Sequence, residues 1–364
     1  MILFWVELTI LVAGFAAALL LFWRIPLLPR ATSNTSMNVS IVIPARNEAN
    51  TLPLLLADLA AQTNPPHEII IVNDNSEDGT EQIARAFGVK VISLTDKPDG
   101  WVGKCWACQQ GAETATGDSL LFLDADVRFA PDALSRILSA HEAYGAISVQ
   151  PYHETKRLIE DCALFFNLAQ ICANGSALPR PVNLGLYGPV IAISRQDYFA
   201  FRGHEPVKSV VLEDMALADC LRGKQIPFRL FVGDADVRFR MYPDGFPALW
   251  HGFTKNFATA AAKLPAWLLI LVILFIASLA SAPLHLALSL AAGSQLAWLY
   301  GACYALWVLS LHLIARHVGR FRPLTLLLYP VPLVVFLLVF LNSCRIRLMR
   351  GNVKWKGRAI RLDR

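Results

Sequence analysis

The chain has 364 residues, 55% of them hydrophobic, with a mean hydropathy of +0.44 and a formal net charge of +5. That length holds one good-sized soluble domain and something more, and the apolar excess marks the remainder as membrane segments. The positive charge clusters beside apolar stretches, which suits anionic lipid surfaces. No helix-turn-helix or stacking-aromatic pattern supports a nucleic-acid partner.

In chain order, Ile2 to Trp23 is apolar apart from Glu7 and Thr9, and at ~1.5 Å per residue it can span hydrocarbon. No basic segment precedes it and no small-residue cleavage site stands out before Pro26, so an uncleaved anchor is expected in place of a signal peptide. Arg24 and Arg30 follow, placing the next domain in the cytoplasm. The expected organisation is a transmembrane helix over 1–24, a linker over 25–38 and an α/β domain over 39–245. An interfacial amphipathic segment follows over 246–263, then membrane segments over 264–344 and a basic cytoplasmic tail over 345–364.

Val39 to Pro44 is a buried-strand run that ends in Ala45-Arg-Asn-Glu48, and a helix is predicted from Leu52 to Ala61. Glu68 to Asp74 repeats this grammar, with a turn and helix-start cluster from Asn73 to Thr80. A helix over Glu81 to Phe87 then leads to a strand over Val89 to Leu94. Strands alternating with helices argue for a parallel sheet with right-handed crossovers and a cleft at its carboxyl edge. Neither the dinucleotide fingerprint nor the Walker phosphate loop is present. Gly100-Trp-Val-Gly-Lys-Cys105 instead puts Lys104 before a predicted helix, a position that suits a diphosphate.

Leu120 to Leu123 is a short apolar run that stops at Asp124 and Asp126. Two carboxylates brought close at the rim of a cleft call for a hard divalent cation, and Asp74 should share that edge. Gly188 to Ser194 reads as another strand. Gly203-His-Glu-Pro-Val207 precedes Glu213-Asp214, which open an amphipathic helix and there suit the helix dipole. The seven cysteines, including the lone Cys105-x-x-Cys108 pair, form no disulfide or zinc pattern and read as reduced thiols.

Beyond the domain, apolar spans are expected near 265–283, 293–315 and 324–343. Three crossings would put the basic tail opposite the domain, whereas both are expected in the cytoplasm. Either Leu264 to Ala315 is not two straight spans, or the last segment, bent at Pro330 and Pro332, is re-entrant.

These motifs, in this order over roughly residues 39–250, resemble the family 2 glycosyltransferases of GT-A fold. The fold class expected is therefore α/β, a Rossmann-like, mostly parallel sheet in a cytoplasmic domain, with one N-terminal and about three C-terminal membrane segments. The resemblance implies that Pro44, Ala45, Arg46 and Glu48 line the nucleotide pocket, with Arg46 where the family often has tyrosine. Asp74 would bind the uracil ring, Lys104 would lie beside the donor, and Asp124 would contact the nucleotide sugar and the metal. Asp126 would hold Mg2+ or Mn2+ against the diphosphate. Inverting transfer needs a carboxylate to take a proton from the acceptor, and Asp214 is the matching position, with Glu213 as its alternative.

Polymer-forming members carry Q-x-x-R-W, of which Phe246-Pro-Ala-Leu-Trp250 keeps only the tryptophan, so single transfer is expected. The Gly-Lys loop, the G-H-x-x-V motif, Lys255-Asn256 and Val353 to Arg358 are similar to members acting on carotenoids, ceramide or hopanoid-type lipids. His204, Trp250, Lys255 and Trp355 are thus acceptor or interface candidates. The expectation is a metal-dependent inverting transferase in a bacterial cytoplasmic membrane, moving a sugar from a UDP-sugar to a hydroxyl or carboxyl of a lipid. A polysaccharide synthase or a non-catalytic membrane scaffold is the alternative, and a nucleotidyltransferase would need a glycine-rich triphosphate loop, which is absent.

Overall fold

Central parallel strands are covered on both faces, so they read as unbroken apolar runs instead of alternating ones. VSIVIPA, EIIIVN and SLLFL are such runs, and they form the middle of the principal sheet. The computed structural model describes residues 2–31, 37–210, 212–255 and 257–349, and the backbone of 352–355 and 358–361.

Helix α1 (Ile2–Leu21) precedes β1 (Val39–Ala45), α2 (Leu52–Ala60), β2 (Glu68–Asn73), α3 (Thr80–Ala86), β3 (Lys90–Ser93) and α4 (Gly103–Thr114). Next come β4 (Ser119–Leu123), β5 (Val127–Phe129), α5 (Ala133–Tyr144), β6 (Ala146–Gln150), β7 (Tyr152–Glu154) and α6 (Leu164–Asn174). The α/β body ends with β8 (Val190–Ser194), α7 (Arg195–Ala200), α8 (Glu213–Gly223), β9 (Phe228–Val232) and β10 (Val237–Phe239). The C-terminal part holds α9 (Phe246–Thr254), α10 (Phe257–Ala262), α11 (Ala266–Ala291), α12 (Ala297–Ala315), β11 (Gly319–Arg320), α13 (Pro323–Leu327) and α14 (Pro330–Leu348). A hairpin of β12 (Asn352–Trp355) and β13 (Arg358–Arg361) follows.

The seven-stranded sheet has the order β3-β2-β1-β4-β8-β6-β9 and is parallel except at β8, which runs antiparallel to β4 and β6. Register decides where the cleft lies. Ala45 is level with Asn73, and Val42 is level with Phe122. Extending the second pairing by three residues brings Ala125 to the same edge, so the loops after β1, β2 and β4 open side by side. A smaller sheet, β11-β7-β10-β5, stitches Gly319–Arg320 onto the body. The segment after α1 is docked as well: Arg136 donates to the carbonyls of Leu28 and Pro29, and Leu27 bridges to Val232.

Among the described residues four helices, α1, α11, α12 and α14, are long and apolar enough to cross a membrane. α1 and α11 meet closely because Gly14 has no side chain: a Cβ there would lie 2.1 Å from Ser278 Cβ. Small residues of this kind let membrane helices approach backbone to backbone. Phe15 stacks on Trp307 of α12 at 4.1 Å, and the Trp307 indole N–H donates to Ser278 Oγ at 3.2 Å.

α11 leaves the body and α12 returns to it at β11. The third apolar stretch starts on the body and ends against α9 and α10. Arg322 pairs with buried Asp161 at 2.8 Å, and Thr325 donates to the same carboxylate at 2.6 Å. At the other end Ser343 donates to Thr254 O at 2.6 Å and Arg347 to Ala258 O at 2.8 Å. Between them Phe336 packs on Phe165, Phe166 and Phe257. The stretch is thus tied at its start to the α/β body and at its end to α9 and α10.

Candidate active site

The loop after β1 and the loop after β2 are interlocked. Arg46 donates to the carbonyls of Asp74 and Asn75 at 2.8 and 3.0 Å, and Glu48 N–H donates to Thr80 Oγ1 at 2.8 Å. Asn47 Oδ1 accepts from Glu77 N–H at 2.8 Å. Asn47 and Asn75 both have positive φ, 54° and 51°, a left-handed turn that asparagine tolerates better than most side chains. This lattice holds Pro44, Ala45, Glu48 and the buried Asp74 at one wall of a cavity.

Asp124 and Asp126 emerge from β4 onto the same cavity. Lys104, in the first turn of α4, bridges Asp124 and Glu213: its Nζ lies 2.7 Å from Asp124 Oδ1 and 3.4 Å from Glu213 Oε1. Burial alone would lower the Lys104 pKa, but Asp124 and Glu213 outweigh it and hold the ammonium well above its ordinary value. Asp214 stands beside this group in the first turn of α8. Burial and the charge of Glu213 push its carboxyl up to about 7, against the opposing pull of Lys104 and of the Met215 N–H donated at 2.8 Å. Gly188 closes the gap, since a Cβ there would sit 3.4 Å from Asp214 Oδ2 and 3.5 Å from Lys104 Nζ. A carboxylate at pKa near 7, next to a fixed cation and a pair of acids, can accept a proton while anionic groups are neutralised nearby.

The cavity has a volume of about 1470 Å³ and does not stop at the acids. It continues past Lys255 to Leu264, Leu269, Val272, Ile273, Ile276, Ala277 and Ala280, opposite Phe336, Leu337 and Phe340.

Residues 40–158 match the glycosyl transferase family 2 model. The 4,4'-diaponeurosporenoate glycosyltransferase of Staphylococcus haemolyticus is 34% identical over 333 residues, covering 89% of this chain and 88% of that protein. The chain belongs to glycosyl transferase family 2. The enzyme of the same name in Staphylococcus aureus is 32% identical over 328 residues, 88% of this chain and 87% of that one. A solved mannosyltransferase from Pyrobaculum calidifontis, in complex with GDP-Man and Mn2+, shares the GT-A-like fold at a TM-score of 0.57 and 18% identity, covering 94% of this chain and 97% of its own.

In this glycosyltransferase Pro44, Ala45, Arg46, Glu48, Asp74, Lys104, Asp124, Asp126, Glu213, Asp214 and Lys255 all line the one cavity. His204 does not. It is 3% exposed, hydrogen-bonded to the Tyr198 hydroxyl at 2.6 Å and packed edge-on to Phe122, and burial brings its pKa down to about 3. An acceptor-side role is thereby corrected to that of a core histidine, since the turn of Gly203 (φ 62°) directs it inward. Trp250 is also off the cavity wall, against Phe246, and its neighbours Ala248 and His251 line the cavity instead. The Trp355 side chain and Asn256 lie outside the described residues.

Sequence reasoning missed Gly188, Gln150, Gln170, Asn174 and Arg240, which also line the cavity. Only Gly188 carried a signal, as the glycine opening a predicted strand.

Proposed function

We propose that this glycosyltransferase moves one sugar from a UDP-sugar onto an oxygen of a membrane lipid, by a metal-assisted inverting displacement with Asp214 as the base. One observation carries the reading: acids suited to a nucleotide sugar and an apolar wall suited to a lipid chain belong to a single continuous cavity. From Leu269 to Ala280 that wall follows one face of α11 for about 17 Å, long enough for a hydrocarbon chain. The staphylococcal relatives are named as glycosyltransferases of 4,4'-diaponeurosporenoate, by its name a carboxylate, and an acidic head would lie at the polar end of this cavity.

Asp126 and Asp124 would hold the divalent ion. No cluster of three or more His, Cys, Asp or Glu able to hold a metal occurs among the described residues. That donor set fits Mg2+ or Mn2+, which is commonly held by one or two carboxylates together with substrate phosphates. When bound, the ion supplies charge neutralisation of the leaving diphosphate. The protein's own residues do the rest. The Asp74 loop takes the base, and Lys104, kept cationic by Asp124 and Glu213, lies beside the diphosphate. Asp214 removes the acceptor proton as the acceptor oxygen bonds to the anomeric carbon. The bond from that carbon to the diphosphate breaks, and UDP leaves with the electron pair. Residues 246–263, now α9 and α10, would lie in the interface of a bacterial cytoplasmic membrane, with the α/β domain on the arginine-rich cytoplasmic side.

The test is to incubate membranes containing the protein with a panel of UDP-sugars, GDP-mannose and Mn2+, and to weigh the lipids by mass spectrometry. One product of fixed added mass from a UDP-sugar is expected. A ladder of masses would favour a polymer synthase, transfer from GDP-mannose alone would overturn the donor, and no glycolipid would overturn the acceptor.

A further inference from the structure

The chain that leaves β10 runs past the metal acids. In the antiparallel pair of β5 and β10, Phe239 is level with Val127, so one further step brings Arg240 level with Asp126. Residues 240–244 all line the cavity there. Arg240 is held by buried Glu160, which accepts from its Nε at 3.2 Å and from its Nη2 at 2.5 Å. Pro243 O accepts from Arg157 at 3.1 Å.

Between these two ties Tyr242 has φ 53°, and it is the one aromatic residue with positive φ among those described. A left-handed backbone is unfavourable for a bulky side chain and persists only where the surroundings hold it, most often at functional sites. Here the hold is on the ring. A Cβ on Gly252 of α9 would lie 2.3 Å from the Tyr242 hydroxyl and 2.3 Å from its Cε1, so the phenol end rests on bare helix backbone. Phe253 meets the ring edge-on at 5.0 Å and is itself stacked on Phe166 at 3.9 Å. The hydroxyl is thus fixed at the junction of α9 with the loop that passes Asp126. Burial and, after it, the charge of Asp126 push the phenol up from its ordinary value.

We propose that Tyr242 is the positioning residue for Asp126: its hydroxyl donates to one carboxylate oxygen and leaves the other turned toward the divalent ion. The inference rests on the assignment of the ion to Asp126 above and deepens it. A tyrosine hydroxyl is a donor at neutral pH, and carboxylates that hold metals are themselves oriented by such hydrogen bonds, whose loss weakens the ion's binding. Glycine at 252 leaves room for that hydroxyl, so the interfacial helix α9 takes part in setting the affinity for the ion.

The experiment measures UDP binding to the full-length protein in detergent by calorimetry, over a range of Mn2+ concentrations. Tyr242→Phe keeps the ring against Gly252 and Phe253, so Tm and metal-free UDP affinity should stay as in wild type. The Mn2+ concentration that gives half-maximal UDP binding should rise about tenfold. Gly252→Ala, which crowds the hydroxyl, should raise it too. In an Asp126→Ala background Tyr242→Phe should add nothing, because residues that act through one another are not additive. A Mn2+ requirement unchanged in Tyr242→Phe, or a rise that persists in full without Asp126, would overturn the proposal and leave Asp126 as the metal ligand. A wild type whose UDP binding ignores Mn2+, or an Asp126→Ala variant that keeps the wild-type Mn2+ requirement, would overturn the metal assignment and this inference with it.

Discussion

The two ends of the cavity are built on opposite principles. At the polar end each contributor is a particular atom at the end of a strand or in the first turn of a helix: Asp74 after β2, Asp124 and Asp126 after β4, Lys104 opening α4, Asp214 opening α8. At the apolar end Leu269, Val272, Ile273, Ile276, Ala277 and Ala280 recur at helical spacing on α11 and face Phe336, Leu337 and Phe340 of α14. Coulombic and hydrogen-bonding work depends on which atom is present, whereas apolar burial depends on the volume and area left free. The polar end should accordingly fail on isosteric changes, and the apolar end only on changes of size.

The largest effect should come from Asp214→Asn, which keeps the shape and removes the proton acceptor. Transfer should fall by about 10³-fold or more, with UDP affinity measured by calorimetry unchanged. Turnover close to wild type would remove the base assignment. Asp126→Ala should come next, weakening Mn2+-dependent UDP binding by about 10²-fold. Metal-dependent binding that survives intact would move the ion elsewhere.

This contrast also explains what the sequence could disclose. β1, β2 and β4 were legible because each is a short apolar run with a polar stop, and the acids sit at those stops. Lys104 and Asp214 were legible for the same reason, being tied to helix starts. His204 misled because a motif position says nothing about which way a side chain turns, and here the Gly203 turn and Tyr198 direct it into the core. The cavity face of α6 was hidden. Ala169, Gln170, Ala173 and Asn174 look like any helix face until α11 and α14, about a hundred residues or more further along the chain, are seen to pack against it. The packing of α14 was undecidable for a similar reason: its hydropathy matches that of a span, and only the partners of Asp161 and Ser343 show that the stretch begins on the α/β body and ends against α9.

A change of volume should separate the two ends. Ala277→Trp fills the apolar arm without touching an acid, so KM for the lipid should rise by roughly tenfold, in line with the loss of one buried contact surface. UDP affinity should stay as in wild type. If UDP binding fell equally, the two ends would be one cooperative unit and the contrast drawn above would fail.

The smallest effect, on a pH profile, discriminates most finely within the polar end. Asp214 must be ionised to accept a proton, and its pKa is raised to about 7 by burial and by Glu213. Activity should therefore rise as pH increases through about 7 and fall below it, the reverse of what a protonated acid catalyst would give. Glu213→Gln removes one of the two causes, so the Asp214 pKa should drop and the acid limb of kcat/KM should move down by roughly one unit. Some loss of rate is expected too, because Lys104 loses its contact at 3.4 Å. If Glu213→Gln instead abolished transfer as completely as Asp214→Asn while the profile of the residual activity did not move, Glu213 would be the group that takes the proton and Asp214 the neighbour that tunes it.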